Sequence, residues 1–200
     1  MARTLIGGLA AGVVLFVVGF IFWASPLSRI AYSGTDDVAG AAVQTALQQN
    51  LTRTGTGTYV IPSHDTSQGM ALYERGPVAT VHFNSRGFLA DDMGMIVTGF
   101  IFALIAGLLI AFGLTAVGGG GRSFAATARL IVLFSLGITV WTILAQPVFN
   151  HFGWTYWIYS FVAETTGLIL AGLVVARWFL PPAGSAPAEA PAESEAQRSS

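Results

Sequence analysis

The sequence has no cysteine and no lysine. Without cysteine there is no disulfide, no thiolate metal site and no redox thiol. Charge of either sign is scarce, at 10% of 200 residues, where an ordinary soluble domain carries about a quarter. The net charge of -1 gives no field that would gather nucleic acid, so no nucleic-acid partner is expected. No nucleophile motif, Walker loop or dinucleotide fingerprint occurs. "GGGGRS" at 118–123 has no lysine and follows an apolar run rather than a strand. No cofactor and no catalytic residue is expected.

What the chain has instead is apolar sequence, 54% of it, gathered in blocks. Crossing a bilayer takes about 20 apolar residues in a helix. "LIGGLAAGVVLFVVGFIFWA" (5–24) and "MGMIVTGFIFALIAGLLIAFGLTAV" (93–117) carry no charge at all. A third block runs from Leu130 to Ala145, with Phe124–Ala128 able to extend it past Arg129. A fourth, Trp157 to Ala176, contains Glu164. Four such blocks argue against buried helices of a soluble protein. The first is too long for a signal-peptide core, and cleavage after Ala24 would put Phe22 where a small residue is wanted. It reads as an uncleaved anchor.

The expected organisation is therefore an all-α four-helix transmembrane bundle with a small α+β extracytoplasmic module. Residues 1–24 are the anchor span, 25–92 the module and 93–117 the second span. Residues 118–128 are a Gly-rich cytoplasmic loop, 129–146 the third span, 147–156 an outer loop and 157–180 the fourth span. Residues 181–200, rich in Pro, Ala, Glu and Ser, read as a disordered cytoplasmic tail. Arg sets the direction. Arg3, Arg122, Arg129 and Arg177 flank one side of the spans, and "QPVFNHFGW" on the other side has none. Both termini are then cytoplasmic and residues 25–92 lie outside. Trp23, Trp141, Trp154, Tyr156, Trp157 and Tyr159 would form the outer aromatic belt, with Trp178 at the inner face. All nine basic residues being Arg, together with the Ala and Gly richness, points to a GC-rich bacterial genome and hence the inner membrane.

Within the module, "SGTDDVAGAAVQTALQQN" reads as a helix capped by Thr35, with Asp36 and Asp37 in its first turn. Thr58–Ile61 and the alternating stretch Ala79–Phe83 read as strands. Residues 63–76 read as a polar linker.

Glu164 is the residue to explain. It lies roughly 10 Å below Trp157 at about 1.5 Å rise per residue, in the outer third of the hydrocarbon core. An ionised carboxylate there is costly without a partner. Ser135, Thr139, Thr142 and Gln146 recur at spacings of four, three and four, which is one helical face. The stripe is expected to meet Glu164 across antiparallel spans, helped by Thr165 or Thr166. Two uses compete: polar glue between helices, or a proton or cation relay. One acid without a second ionisable group makes a poor relay, so glue is the expectation. Small residues also recur every four positions: Gly99, Ala103, Gly107 and Ala111 in the second span, Ala163, Gly167 and Ala171 in the fourth, Gly8 and Gly12 in the first. Such rows let helices approach closely, within the chain or in a homodimer. His64, His82 and His151 fall in separate places, so no metal site is expected.

Tyr59-Val60-Ile61-Pro62 and Gly76-Pro77-Val78 complete a pattern. An anchor span, an outside loop with Tyr-x-x-Pro and then Gly-Pro-Val, and three further spans resemble a set of uncharacterised bacterial inner-membrane proteins of this length. The resemblance covers most of residues 1–180 and implies the four-span topology. The expected function is a non-enzymatic structural or partner-binding membrane component, its partners being the bilayer and a membrane protein or second copy. The alternative is a small transporter or proton-coupled channel using Glu164. A membrane-bound enzyme ranks third, for want of a convergent acid, base and nucleophile set.

Overall fold

The computed structural model describes residues 1–118 and 121–180. In chain order the helices are α1 (Ala2–Trp23), α2 (Asp37–Leu51), α3 (Ser67–Arg75), α4 (Met93–Gly118), α5 (Phe124–Thr139), α6 (Ala145–Asn150) and α7 (Trp154–Trp178). The strands are β1 (Gly57–Ile61) and β2 (Ala79–Phe83). Among the described residues, four helical stretches are long and apolar enough to cross a membrane: Ala2–Trp23, Met93–Val117, Phe124–Asn150 and Trp154–Trp178. The expected tail at 181–200 lies outside the described residues, as do Gly119 and Gly120 of the expected Gly-rich loop. The chain divides into two compact units, one of Met1–Ser33 with everything from Met93 onward, the other Gly34–Asp92.

The third span is longer than its apolar run suggests. α5 begins at Phe124, capped by Ser123 accepting from the Ala126 N–H at 3.3 Å. It passes through one widened, π-type turn at Val140–Leu144 and continues as α6. Pro147 sits buried in α6. A proline has no N–H and crowds the carbonyl four residues back, here Ile143. A π-type turn just before it is where the hydrogen-bond ladder is loosened. The helix therefore reaches Asn150 rather than Gln146. The loop expected at 147–156 shrinks to residues 151–153, and the fourth apolar helix opens at Trp154 rather than Trp157.

Helix α7 is the hub, packing on α1, α5 and α4. Its neighbours α1 and α5 run antiparallel to it. Arg3 Nη2 at the start of α1 donates to the Trp178 carbonyl at the end of α7 at 3.2 Å, while the Tyr159 hydroxyl near the start of α7 donates to the Phe22 carbonyl. Thr4 and Thr115, 3.5 Å apart, and the Phe16 and Phe100 rings, 5.1 Å apart, make α1 and α4 antiparallel too. The middle of the bundle is made of small side chains: Ala11, Ala111 and Ala171 from three helices are all fully buried and cluster with Val175.

The module is built around its hairpin. β1 and β2 pair antiparallel with Gly57 opposite Phe83 and Ile61 opposite Ala79. The chain between them is not a plain linker, because Ser67–Arg75 is helical. Thr66 caps it, accepting from the Gly69 N–H at 3.0 Å. A side chain at Gly69 would run into the Ser63 carbonyl, so the glycine that weakens the helical pattern in sequence is what lets the turn close. Both prolines of the sequence pattern follow cis bonds, Ile61–Pro62 and Gly76–Pro77. α2 starts one residue later than expected: Asp36, not Thr35, is its cap, accepting from the Ala39 N–H at 2.8 Å.

Candidate functional site

The polar stripe on the third span does not stay on one face. Ser135 and Thr139 are buried, but Thr142 is exposed and Gln146 only half-buried. The widened turn at 140–144 supplies the reason. An extra residue in the turn sets every later position back by about 100°, so the four-three-four spacing no longer describes one face beyond Thr139. Thr142 and Gln146 turn to their own helix instead. The Thr142 hydroxyl donates to the Ile138 carbonyl at 2.8 Å, and Gln146 Nε2 to the Thr142 carbonyl at 3.4 Å.

Across from the buried half of the stripe stands Thr165, not Glu164. The Thr139 and Thr165 hydroxyls lie 2.7 Å apart, and Thr139 also donates to the Ser135 carbonyl at 2.7 Å. This pair ties α5 to α7 in the bundle interior. Polar contacts of this kind average about 0.6 kcal/mol in membranes.

Glu164 faces another helix. It is exposed on the bundle, and its carboxyl lies toward the Trp23 indole at the end of α1. A helical side chain leans toward the N-terminus of its helix, and for α7 that is the end bearing the aromatic rings. Trp23 packs on Tyr159 at 5.2 Å, Tyr156 at 5.8 Å and Tyr32 at 6.4 Å between ring centroids. Desolvation pushes the Tyr32 phenol above its ordinary value, with Tyr156 and Tyr159 adding to the shift. Of the expected outer belt, Trp23, Tyr156, Trp157 and Tyr159 are thus packed together rather than standing as separate anchors, and Tyr32 and Phe152 belong to the cluster as well. Phe152 stacks on Trp157 at 5.7 Å. Trp141 stands apart, packing on Phe149 at 6.2 Å.

The rows of small residues are used at particular places. Gly107 of α4 lies between Gly8 and Gly12 of α1. A methyl built on it would overlap the Gly12 nitrogen and the Gly8 carbonyl, and would lie 2.7 Å from the Gly12 Cα. The reverse holds for Gly8 against the Leu108 Cα at 2.7 Å and Gly12 against the Leu104 Cα at 2.6 Å. Ala163, Gly167 and Ala171 are buried, though a methyl on Gly167 would meet Leu15 at an ordinary 3.5 Å. Gly99 meets nothing within 4 Å, and Ala103 is only half-buried. Two close approaches escape the four-residue rows: Gly172 against Ile131 Cγ2 at 2.7 Å, and Gly7 against Phe179 Cβ at 2.7 Å.

The described residues also leave open spaces. An apolar crevice of about 360 Å3 lies between α4 and α5 over Leu168 and Gly172 of α7. In the module, a cleft of about 480 Å3 separates α2 from the stretch 81–87. The histidines are dispersed: His64 packs on Tyr73 at 5.5 Å, His82 Nδ1 lies 3.0 Å from the Thr58 hydroxyl, and His151 is exposed. No group of three or more His, Asp or Glu converges among the described residues. No family model, curated protein or solved structure matches the chain.

Proposed function

We propose that the chain is a non-enzymatic component of a bacterial inner membrane. Its bundle anchors and steadies residues 25–92 outside, where they bind a partner, and both termini stay in the cytoplasm. It would stand beside the four-span proteins that its Tyr-x-x-Pro and Gly-Pro-Val elements resemble. The observation that carries the reading is a division of labour. The bundle interior is closed by alanine and by helix backbones in contact, whereas Gly34–Asp92 forms its own compact unit with an open cleft. Direct capture tests it: photoreactive residues across the module in native membranes, with mass spectrometry of the products. Capture of one protein through several module positions is expected. No product at any position would sink the reading.

Orientation is tested separately by reporter fusions after Asn50 and at Ser200. The first is expected to be active only outside the membrane and the second only inside. The contact of Arg3 with Trp178 supports a shared side for the start of α1 and the end of α7. The opposite activities would overturn the placement.

The transporter alternative turns on Glu164. Its place beside the Trp23 indole and the self-contained Ser135–Thr139–Thr165 set support a structural role. Glu164→Gln is expected to melt within about 0.5 kcal/mol of wild type, because an amide keeps an acceptor oxygen in the same volume. Glu164→Leu should lose about 0.6 kcal/mol, the typical value for such a contact in membranes. Proton flux into proteoliposomes should be the same for all three. A flux that Glu164→Gln removes at unchanged stability would replace the anchoring role with transport.

A further inference from the structure

The module cleft has an unusual pair of walls. On one side stand Gln44, Leu47 and Gln48 of α2 and Thr52, which caps its end, spaced as one face of a helix. On the other is the unbroken run 81–87. Successive side chains of a strand point to opposite faces of its sheet, so a helix packed on a face meets every second residue. This cleft meets 81, 82 and 83 in succession and no residue of β1. It therefore follows the edge of β2 on the side away from β1. The sheet has two strands, so that edge has no strand beside it among the described residues. An open edge presents a row of N–H and C=O groups ready to pair. The lining includes His82 and Arg86 and no acid. α2 has no buried residue of its own, so what it covers is the cleft.

We propose that this cleft takes an extended acidic segment of a partner protein, which adds as a third strand to the β2 edge under α2. The inference rests on the partner-binding reading and names the partner's form. Backbone pairing along the β2 edge holds the segment, and Gln44, Gln48 and Thr52 of the opposite wall line its far edge. A carboxylate of the segment pairs with Arg86 at the far end of the run, a charge-assisted contact.

The test uses the full chain in nanodiscs and short labelled peptides alternating Val and Thr, with Glu or Lys near one end. The Glu peptide is expected to bind about tenfold more tightly than the Lys peptide, the effect of one charge-assisted contact. Arg86→Glu should erase that preference while the circular dichroism spectrum stays unchanged. N-methylation at alternate residues of the Glu peptide should weaken binding by about tenfold or more, since it removes edge donors. Hydrogen exchange should slow at the amides of residues 79–83 and not at those of 57–61. Slowing at β1 instead, binding indifferent to N-methylation, or no binding at the solubility limit of the Glu peptide would each overturn the proposal. Crosslinkers at Gln48 and Ser85, inside the cleft, and at Val38, outside it, separate this inference from the reading it rests on. A partner captured through Val38 alone keeps the partner-binding role and overturns the cleft. No capture at any position overturns the partner-binding role, and the peptide titration then decides the cleft by itself.

Discussion

Gly107→Ala is expected to destabilise the bundle by about 1–3 kcal/mol, although alanine is the better helix former. Gly99→Ala, two turns away on the same helix and the same four-residue row, should be neutral or gain up to about 1 kcal/mol. The contrast follows from what each new methyl would meet. At Gly107 it is the backbone of α1 at Gly8 and Gly12, and at Gly99 it is open space. A backbone atom cannot rotate aside as a side chain does, so α1 and α4 must separate. In lipid, separation is not opposed by a hydrophobic penalty, because acyl tails are as apolar as the side chains they replace. Close packing is most of what holds the pair, and the loss falls directly on the contact between α1 and α4. Melting in detergent, with a crosslink between the two helices as a second readout, checks the prediction. Equal stabilities for the two variants would mean that the helices do not meet at this glycine.

Gly99 and Gly107 also mark how far the sequence can be read. The row of small residues is visible at once, since its period is that of one helix face. Which end of the row meets another helix is not visible, because that depends on where α1 crosses. The spans themselves are legible, as uncharged runs of this length have little use outside a membrane. The stripe Ser135, Thr139, Thr142, Gln146 is legible only in part. Reading it as one face assumes a uniform 3.6-residue turn, and the widened turn at 140–144 breaks that assumption after Thr139. Pro147 is the one hint of it, a proline inside a helical pattern. Thr165 and Glu164 are adjacent in sequence and therefore about 100° apart around α7. The hydroxyl meets α5 and the carboxyl meets α1, a division that span lengths and loop lengths leave open. In the module, helix α3 is hidden by Gly69, a poor helix former whose place is explained only by the Ser63 carbonyl beside it.

Ala171→Leu should be the most damaging single change in α7. Ala11, Ala111 and Ala171 are each at 0% exposure and form one cluster, so three helices meet there through methyl groups. A leucine at 171 adds three carbons against Ala11 and Ala111, which cannot fold away, and displaces the Leu15, Ile110 and Leu114 side chains packed around them. Overpacking of this kind typically costs about 1–3 kcal/mol and occasionally more. The high end is expected here, because α7 joins α1, α4 and α5 and one wedge loosens several contacts together. Val162→Leu, on the same helix but exposed, serves as the control and should stay within about 0.5 kcal/mol of wild type. Ala103→Leu, half-buried in α4, should fall between the two. Unfolding in mixed detergent gives all three values in one series. If Ala171→Leu proved no more harmful than Val162→Leu, α7 would not be the centre of the bundle, and the closed alanine interior that leaves partner binding to the module would be lost with it.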